Sequence, residues 1–233
     1  MERTTDTKSM PAVGSQLWLR AAATLVSAAL PFLLVMVNIR LVMSPAFLYA
    51  EYTRPGFPED FYGFTREDRL RYAPFAVDYL LNGEDISFLA NLTFPDGEPL
   101  FNERELRHMR DVKTLTQIAY SAAVIAGIIA AVASYILWKR GRLRLALFRG
   151  SMFTLGIIVA IVLAAVLNWD FFFTGFHMLF FENDTWYFAY SDTLIRLFPE
   201  QFWFDAALFI GGLTTLQAAL VMIITWFWRR NAF

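Results

Sequence analysis

Apolar positions along the chain fall into four long blocks separated by polar stretches. Ala21–Ile39, Thr114–Trp138, Gly150–Trp169 and Ala206–Trp228 contain no Asp, Glu, Lys or Arg over 19, 25, 20 and 23 residues. A helix rises about 1.5 Å per residue, so each block reaches the roughly 20 residues needed to cross about 30 Å of hydrocarbon. The pattern predicts four membrane-spanning helices, over 17–43, 114–138, 150–169 and 206–228. Pro31 falls inside the first and predicts a kink that neighbouring helices can tolerate. The apolar stretch opening at Leu17 exceeds a usual signal-peptide core and follows a 16-residue polar or mixed leader. It is therefore expected to be a retained helix, not a cleaved signal.

The stretch between the first two blocks, 44–113, reads as a small folded cap. Pro45, Pro55, Gly56, Pro58 and Gly63 break its start. Thr65-Arg66-Glu67-Asp68 then has the form of a capped helix start, followed by apolar residues at helical spacing from Leu70 to Leu80. Pro74 lies within that run, which predicts either two short helices or one with a kink. Asn82-Gly83 ends it. Residues 86–101 alternate loosely around Phe94-Pro95-Asp96-Gly97 and predict a short hairpin. Asn102-Glu103-Arg104-Glu105 resembles an N-cap with a Glu at the third helical position, opening a helix that runs unbroken into the second block.

Charge sets the expected orientation. Residues 1–20, 139–149 and 229–233 hold ten Lys and Arg in 36 positions, whereas 44–113 and 170–205 hold nine in 106, beside 19 acids. Positive charge concentrates on the cytoplasmic side of membrane proteins. Both termini and the basic loop 139–149 are therefore expected in the cytoplasm, with 44–113 and 170–205 outside the cell membrane. The predicted fold is a mainly α membrane protein, a four-transmembrane-helix bundle with a small extracytoplasmic α/β cap. A 57% hydrophobic chain of this pattern excludes a soluble enzyme. The absence of cysteine excludes disulfides, thiolate-rich metal sites and a thioester acyl-enzyme. A net charge of −1 gives no reason to expect nucleic acid as a partner.

Only two histidines are present, His108 and His177, each in a predicted outer segment next to a membrane span. On a helix from Asn102, His108 lies about 9 Å above the apolar span that starts at Thr114. Glu105 and Asp111, at −3 and +3, can share its face, and a carboxylate so placed can hold one imidazole tautomer. Equally, Glu105 reads as a helix cap and His108 as an interfacial polar residue. His177 sits within Asp170-Phe171-Phe172-Phe173-Thr174-Gly175-Phe176-His177-Met178-Leu179-Phe180-Phe181, a composition that suits an aromatic belt at the membrane interface. A histidine among so many rings needs partners for its nitrogens, and Glu182, Asn183, Asp184 and Trp186 follow at once. Two histidines with Glu105, Asp111, Glu182 or Asp184 could bind a metal or act as a metal-free acid–base pair. Arg40 is the one basic residue at the outer end of the first helix. It reads either as an interfacial anchor or as a guanidinium that holds a lipid phosphate, a substrate carbonyl or an outer carboxylate such as Asp170 or Asp184.

Phe101–Lys113, Phe176–Trp186 and Asp192–Trp203 resemble motifs of the bacterial four-helix integral membrane family that includes the lipoprotein intramolecular transacylase. Asp78-Tyr79-Leu80-Leu81-Asn82-Gly83 is similar to that family's outer domain. The resemblance covers nearly the whole chain from residue 17. It implies a membrane acyltransferase that needs no cofactor or metal and works in the lipid bilayer on diacylglyceryl-modified lipoproteins. The sn-2 acyl chain of an S-diacylglyceryl cysteine would move to the α-amine, leaving the lyso form. The resemblance also implies catalytic roles for His108 and His177. From their positions in the sequence, Arg40, Glu105, Asp111, Glu182, Asn183, Asp184 and Trp186 are expected to support them or to position substrate. A metal-dependent membrane hydrolase and a non-enzymatic membrane scaffold remain the alternatives.

Overall fold

The computed structural model describes residues 13–181 and 185–228. Residues 1–12 of the expected leader and the tail 229–233 lie outside the described residues, as do Glu182, Asn183 and Asp184. Four of the helices are long and apolar enough to cross a membrane: α1 (Val13–Val42), α5 (Glu103–Lys139), α6 (Leu143–Leu167) and α9 (Glu200–Phe227). The protein is a multi-pass membrane protein. α1 starts four residues before the apolar stretch that opens at Leu17, and it runs through Pro31 as one helix. α5 is 37 residues long, about 55 Å, which exceeds the hydrocarbon thickness. Its first eleven residues, through Lys113, carry most of its charges and stand above the apolar span that starts at Thr114.

In the bundle, α6 packs against α1 and α9, and α1 also packs against α5 and α9. Lipid provides no hydrophobic drive between helices, so close approach and buried polar pairs hold them together. A Cβ added to Gly150 would lie 3.0 Å from the Ser27 Cα, and the Ser27 hydroxyl donates to the Ala146 carbonyl at 2.8 Å. Asn38, fully buried, donates to the Thr214 hydroxyl and to Gln217 Oε1, both at 2.9 Å, and accepts from Gln217 Nε2 at 3.1 Å.

The cap holds α2 (Pro45–Thr53), α3 (Arg66–Leu81), α4 (Ser87–Ala90) and the charged start of α5. It is completed by α7 (Trp169–Phe180) and α8 (Thr193–Leu197). Thr65 and Asp68 cap α3 reciprocally, at 3.1 and 2.9 Å, and α3 continues through Pro74 as a single helix. Among the described residues there is no strand. The expected hairpin over 86–101 reduces to one antiparallel bridge, Thr93–Pro99, closed by Phe94 N–H to the Glu98 carbonyl at 2.8 Å. The first half of that stretch folds instead as α4, because Asp85 Oδ1 accepts from Ser87 N–H at 2.8 Å and starts a helical turn. Among the described residues the cap is thus helical where α/β was expected.

Leu48, Tyr52, Tyr72, Tyr79, Leu89, Leu100, Leu197 and Phe202 form the cap core. Full burial of a leucine in such a core contributes about 1.5–3 kcal/mol. Tyr52 donates to the Leu197 carbonyl at 2.9 Å, fixing α8 over α2. Arg69, itself buried, spends its guanidinium on the carbonyls of Arg196 and Pro58 at 2.9 and 2.6 Å.

Candidate active site

Two structural devices bring the histidines together. Asn102 caps α5, accepting from the N–H groups of Arg104 and Glu105 at 3.0 Å each, while Glu105 Oε2 accepts from Asn102 N–H at 2.7 Å. The helix therefore begins in a fixed register, and Glu105, His108 and Met109 share its buried face. At the other segment, Asn168 ends α6 and caps α7, accepting from Phe171 N–H at 3.0 Å. Trp169, Phe172, Phe173 and His177 turn inward along α7, whereas Phe171, Met178 and Leu179 remain exposed.

The two imidazoles, 69 positions apart in sequence, stand with ring centroids 6.2 Å apart and planes inclined by 23°. Aromatic rings wall the pair. Phe181 and Phe188 lie 5.1 and 5.2 Å from His108. Phe173, Trp186 and Phe181 lie 4.1, 4.9 and 5.6 Å from His177. His108 and His177 both lie outside the spanning segments, and burial lowers the pKa of each. His108 falls to about 4, chiefly through desolvation and secondarily through the charge of His177. For His177 desolvation also lowers the value, opposed by its hydrogen bond to the Phe173 carbonyl. Both rings are neutral at pH 7.

That hydrogen bond fixes a tautomer. His177 Nδ1 lies 2.8 Å from the Phe173 carbonyl oxygen, which can only accept. Nδ1 therefore carries the hydrogen, and Nε2 presents a lone pair. His108 Nδ1 is buried and has no hydrogen-bond partner among the described residues. A buried lone pair without a donor costs less than a buried N–H without an acceptor. The favoured neutral form of His108 accordingly carries its hydrogen on Nε2.

The residues expected around the pair divide sharply. Glu105, only 1% exposed, does not hold the His108 ring. Its Oε1 accepts from Leu194 N–H at 2.6 Å and its Oε2 from Asn102, so it ties the start of α5 to α8. Burial raises its pKa to about 6 against the lowering effect of those two hydrogen bonds, which leaves it ionised at pH 7. Asp111 is exposed on α5. Trp186 covers a face of His177. Glu182, Asn183 and Asp184 lie outside the described residues. Arg40 is exposed and donates to the Met43 carbonyl at 2.8 Å, closing the end of its own helix. No ion pair joins it to Asp170 among the described residues. Nor do three His, Asp or Glu side chains gather as a metal site among those residues.

Sequence reasoning passed over Phe173, Phe181, Phe188 and Asp192. Phe173 stands four residues before His177, a spacing that places its carbonyl beneath the ring, so the bond was legible from helical geometry. Asp192 accepts from Ala189 N–H at 2.9 Å, Asn102 Nδ2 at 3.2 Å and Arg104 at 3.3 Å. It pins the segment that carries Trp186 and Phe188 onto α5. Contacts between segments about 90 positions apart leave no local signal.

The family model described as lipoprotein intramolecular transacylase Lit matches residues 24–203. An uncharacterized protein of Aquifex aeolicus (strain VF5) is 29% identical over 196 residues, which cover 82% of this chain and 87% of that protein. The fold is shared with the in meso structure of the membrane integral lipoprotein intramolecular transacylase Lit from Bacillus cereus. That match has a TM-score of 0.80 and 22% identity, and covers 93% of this chain and 98% of the other. A further structure of the Bacillus cereus protein, carrying a histidine-to-arginine mutation, gives a TM-score of 0.73 at 21% identity over 94% of this chain and 95% of the other. With its matched span taking in both histidines, the cap and three of the four membrane helices, the chain belongs to the lipoprotein intramolecular transacylase Lit family.

Proposed function

We propose that His108 and His177 together carry the acyl transfer of this membrane transacylase. The substrate is a lipoprotein whose N-terminal cysteine bears an S-diacylglyceryl group and a free α-amine. The observation that carries this reading is the near-parallel pair of imidazoles, 6.2 Å apart in an aromatic shell just above the apolar span of α5. The ester and the amine belong to one molecule, so holding them in an attack geometry supplies much of the rate without a covalent acyl-enzyme.

The tautomers divide the work. The α-ammonium sheds one proton to water and becomes a nucleophile. Its nitrogen bonds to the sn-2 carbonyl carbon while His177 Nε2 takes the second proton. The developing oxyanion accepts from His108 Nε2–H, in surroundings where a hydrogen bond is stronger than in water. The bond from carbon to the glycerol oxygen then breaks, and the imidazolium of His177 returns its proton to that oxygen. The products are an N-acyl amide and an S-monoacylglyceryl thioether. Trp186 holds the His177 ring, and Glu105 holds the wall behind His108.

The cap is the extracytoplasmic side in this reading, with residues 44–113 and 170–205 outside and both termini in the cytoplasm. Ten basic residues in 36 on the opposite side, against nine in 106 here, support it. The test is mass spectrometry of lipoprotein N-termini from cells with and without the gene. N-acyl, S-monoacylglyceryl cysteine should occur only when the gene is present. An unchanged set of N-termini would end the proposal.

A further inference from the structure

Outside the histidine site, the cap carries an open concavity of about 330 Å³, lined by Glu59, Phe61, Tyr62, Arg69, Tyr190 and Ile195 among others. That size sits at the lower end of the roughly 300–1,000 Å³ typical of ligand clefts. Its polar base is already satisfied. Arg69 is held by two backbone carbonyls, and Asp60 accepts from Arg196 at 3.1 Å and from Phe64 N–H at 2.7 Å. Exposed at the rim are the rings of Phe61, Tyr62 and Tyr190, with 93%, 48% and 80% of their surface open. The Glu59 carboxylate is exposed beside them and has no ion pair among the described residues.

The cleft and the histidine site share one wall. Tyr190 lies two residues beyond Phe188, whose ring meets His108, and Ile195 follows Leu194, whose N–H is held by Glu105. The Phe188 ring stands 5.2 Å from the His108 ring, and the two residues from Phe188 to Tyr190 span at most about 7 Å of chain.

Resting on the transacylase reading above, we propose that this cleft binds the client lipoprotein's own polypeptide, in the first several residues after the lipidated cysteine. Exposed aromatic rings give contact area to an extended chain with little demand on its sequence, as they do in protein interfaces. Glu59 adds attraction for Lys or Arg in that stretch. The same carboxylate disfavours the alternative occupant, an anionic lipid headgroup.

The test uses the full-length protein in nanodiscs and two synthetic S-diacylglyceryl-cysteinyl lipopeptides, with peptides of two and of eight residues. Dissociation constants and turnover are measured for wild type, Phe61→Ala and Tyr190→Ala. The longer lipopeptide should bind wild type about tenfold more tightly than the shorter one. Each variant should lose most of that advantage while binding and converting the short lipopeptide as wild type does. Equal affinity for both lengths in wild type, or a length advantage that survives in both variants, would overturn the proposal. So would a loss that is equal for both lengths, because it would make the cleft a lipid contact. Conversion of the short lipopeptide by wild type tests the transacylase reading separately, and the length dependence of binding stands or falls without it.

Discussion

Removing the Glu105 carboxylate tests how the cap holds the histidine wall in place. In Glu105→Ala, the N–H groups of Asn102 and Leu194 lose their acceptor, having been bound at 2.7 and 2.6 Å. The Leu194 N–H is left buried and unpaired, at about 1–3 kcal/mol, and the exposed Asn102 loses one hydrogen bond of about 0.5–1.5 kcal/mol, a gross loss of roughly 1.5–4.5 kcal/mol. Against this, the change relieves the cost of a buried charge. The rise in pKa from 4.5 to about 6 makes that relief about 2 kcal/mol at pH 7. From the middle of that range the net expectation is a loss of about 1 kcal/mol at pH 7, or roughly 2–4 °C in melting temperature for a chain of this size. Its pH dependence has a definite sign. A carboxyl whose folded pKa is raised contributes stability that is present in full below its unfolded value of 4.5 and is lost as pH rises through about 6. The gap between wild type and Glu105→Ala should therefore widen by about 1 kcal/mol between pH 7 and pH 5. Thermal melts in detergent at the two pH values, with lipopeptide turnover on the same samples, measure both effects. Turnover should fall with stability, because Trp186 and Phe188 ride on the segment that Glu105 anchors. A variant that melts and turns over like wild type at both pH values would refute the reasoning.

Three further outcomes follow from the geometry. Gly150→Ala should lower the melting temperature by several degrees, since its Cβ would press on Ser27 backbone at 3.0 Å, while Gly175→Ala, with nothing within 4 Å, should not; equal melts would contradict the packing. Arg40→Lys should keep near-normal turnover, because Arg40 serves its own helix end through the Met43 carbonyl, and a tenfold loss would show that the guanidinium fork touches substrate or a carboxylate. With only two histidines in the chain, ¹⁵N-histidine spectra can follow both rings. Both should titrate below the ordinary pKa of 6.5, His108 at about 4, and His177 should show its hydrogen on Nδ1. Because the folded value of His108 is depressed, the stability it contributes is full above pH 6.5 and falls toward pH 4. Titration of either ring at 6.5 or above would contradict the burial.

How much of this was legible in the sequence depends on the range of the physics. The four spans are one-dimensional signals, since a charge-free block of about 20 residues has few structural alternatives in a membrane. The caps at Thr65 and Asn102 were also local, because a cap bonds three residues ahead and both patterns carry the matching acid. The region 86–101 was misleading, because its loose alternation hid the Asp85–Ser87 bond that starts α4. Both histidines could be singled out, but not the role of Glu105. Its spacing from His108 suggested a shared face, whereas its oxygens go to the backbone of α5 and of a segment 89 positions away. Burial decided that outcome, because a fully enclosed carboxylate must find N–H donors wherever the fold supplies them.

The most direct test of the central claim is acyl transfer by purified His108→Asn and His177→Asn on a synthetic S-diacylglyceryl lipopeptide, followed by mass spectrometry beside a thermal melt. Loss of a positioned acid or base lowers rates by about 10²–10⁴-fold. Each variant should therefore show conversion reduced by at least about a hundredfold while melting within a few degrees of wild type. Wild-type conversion by both folded variants would contradict the account.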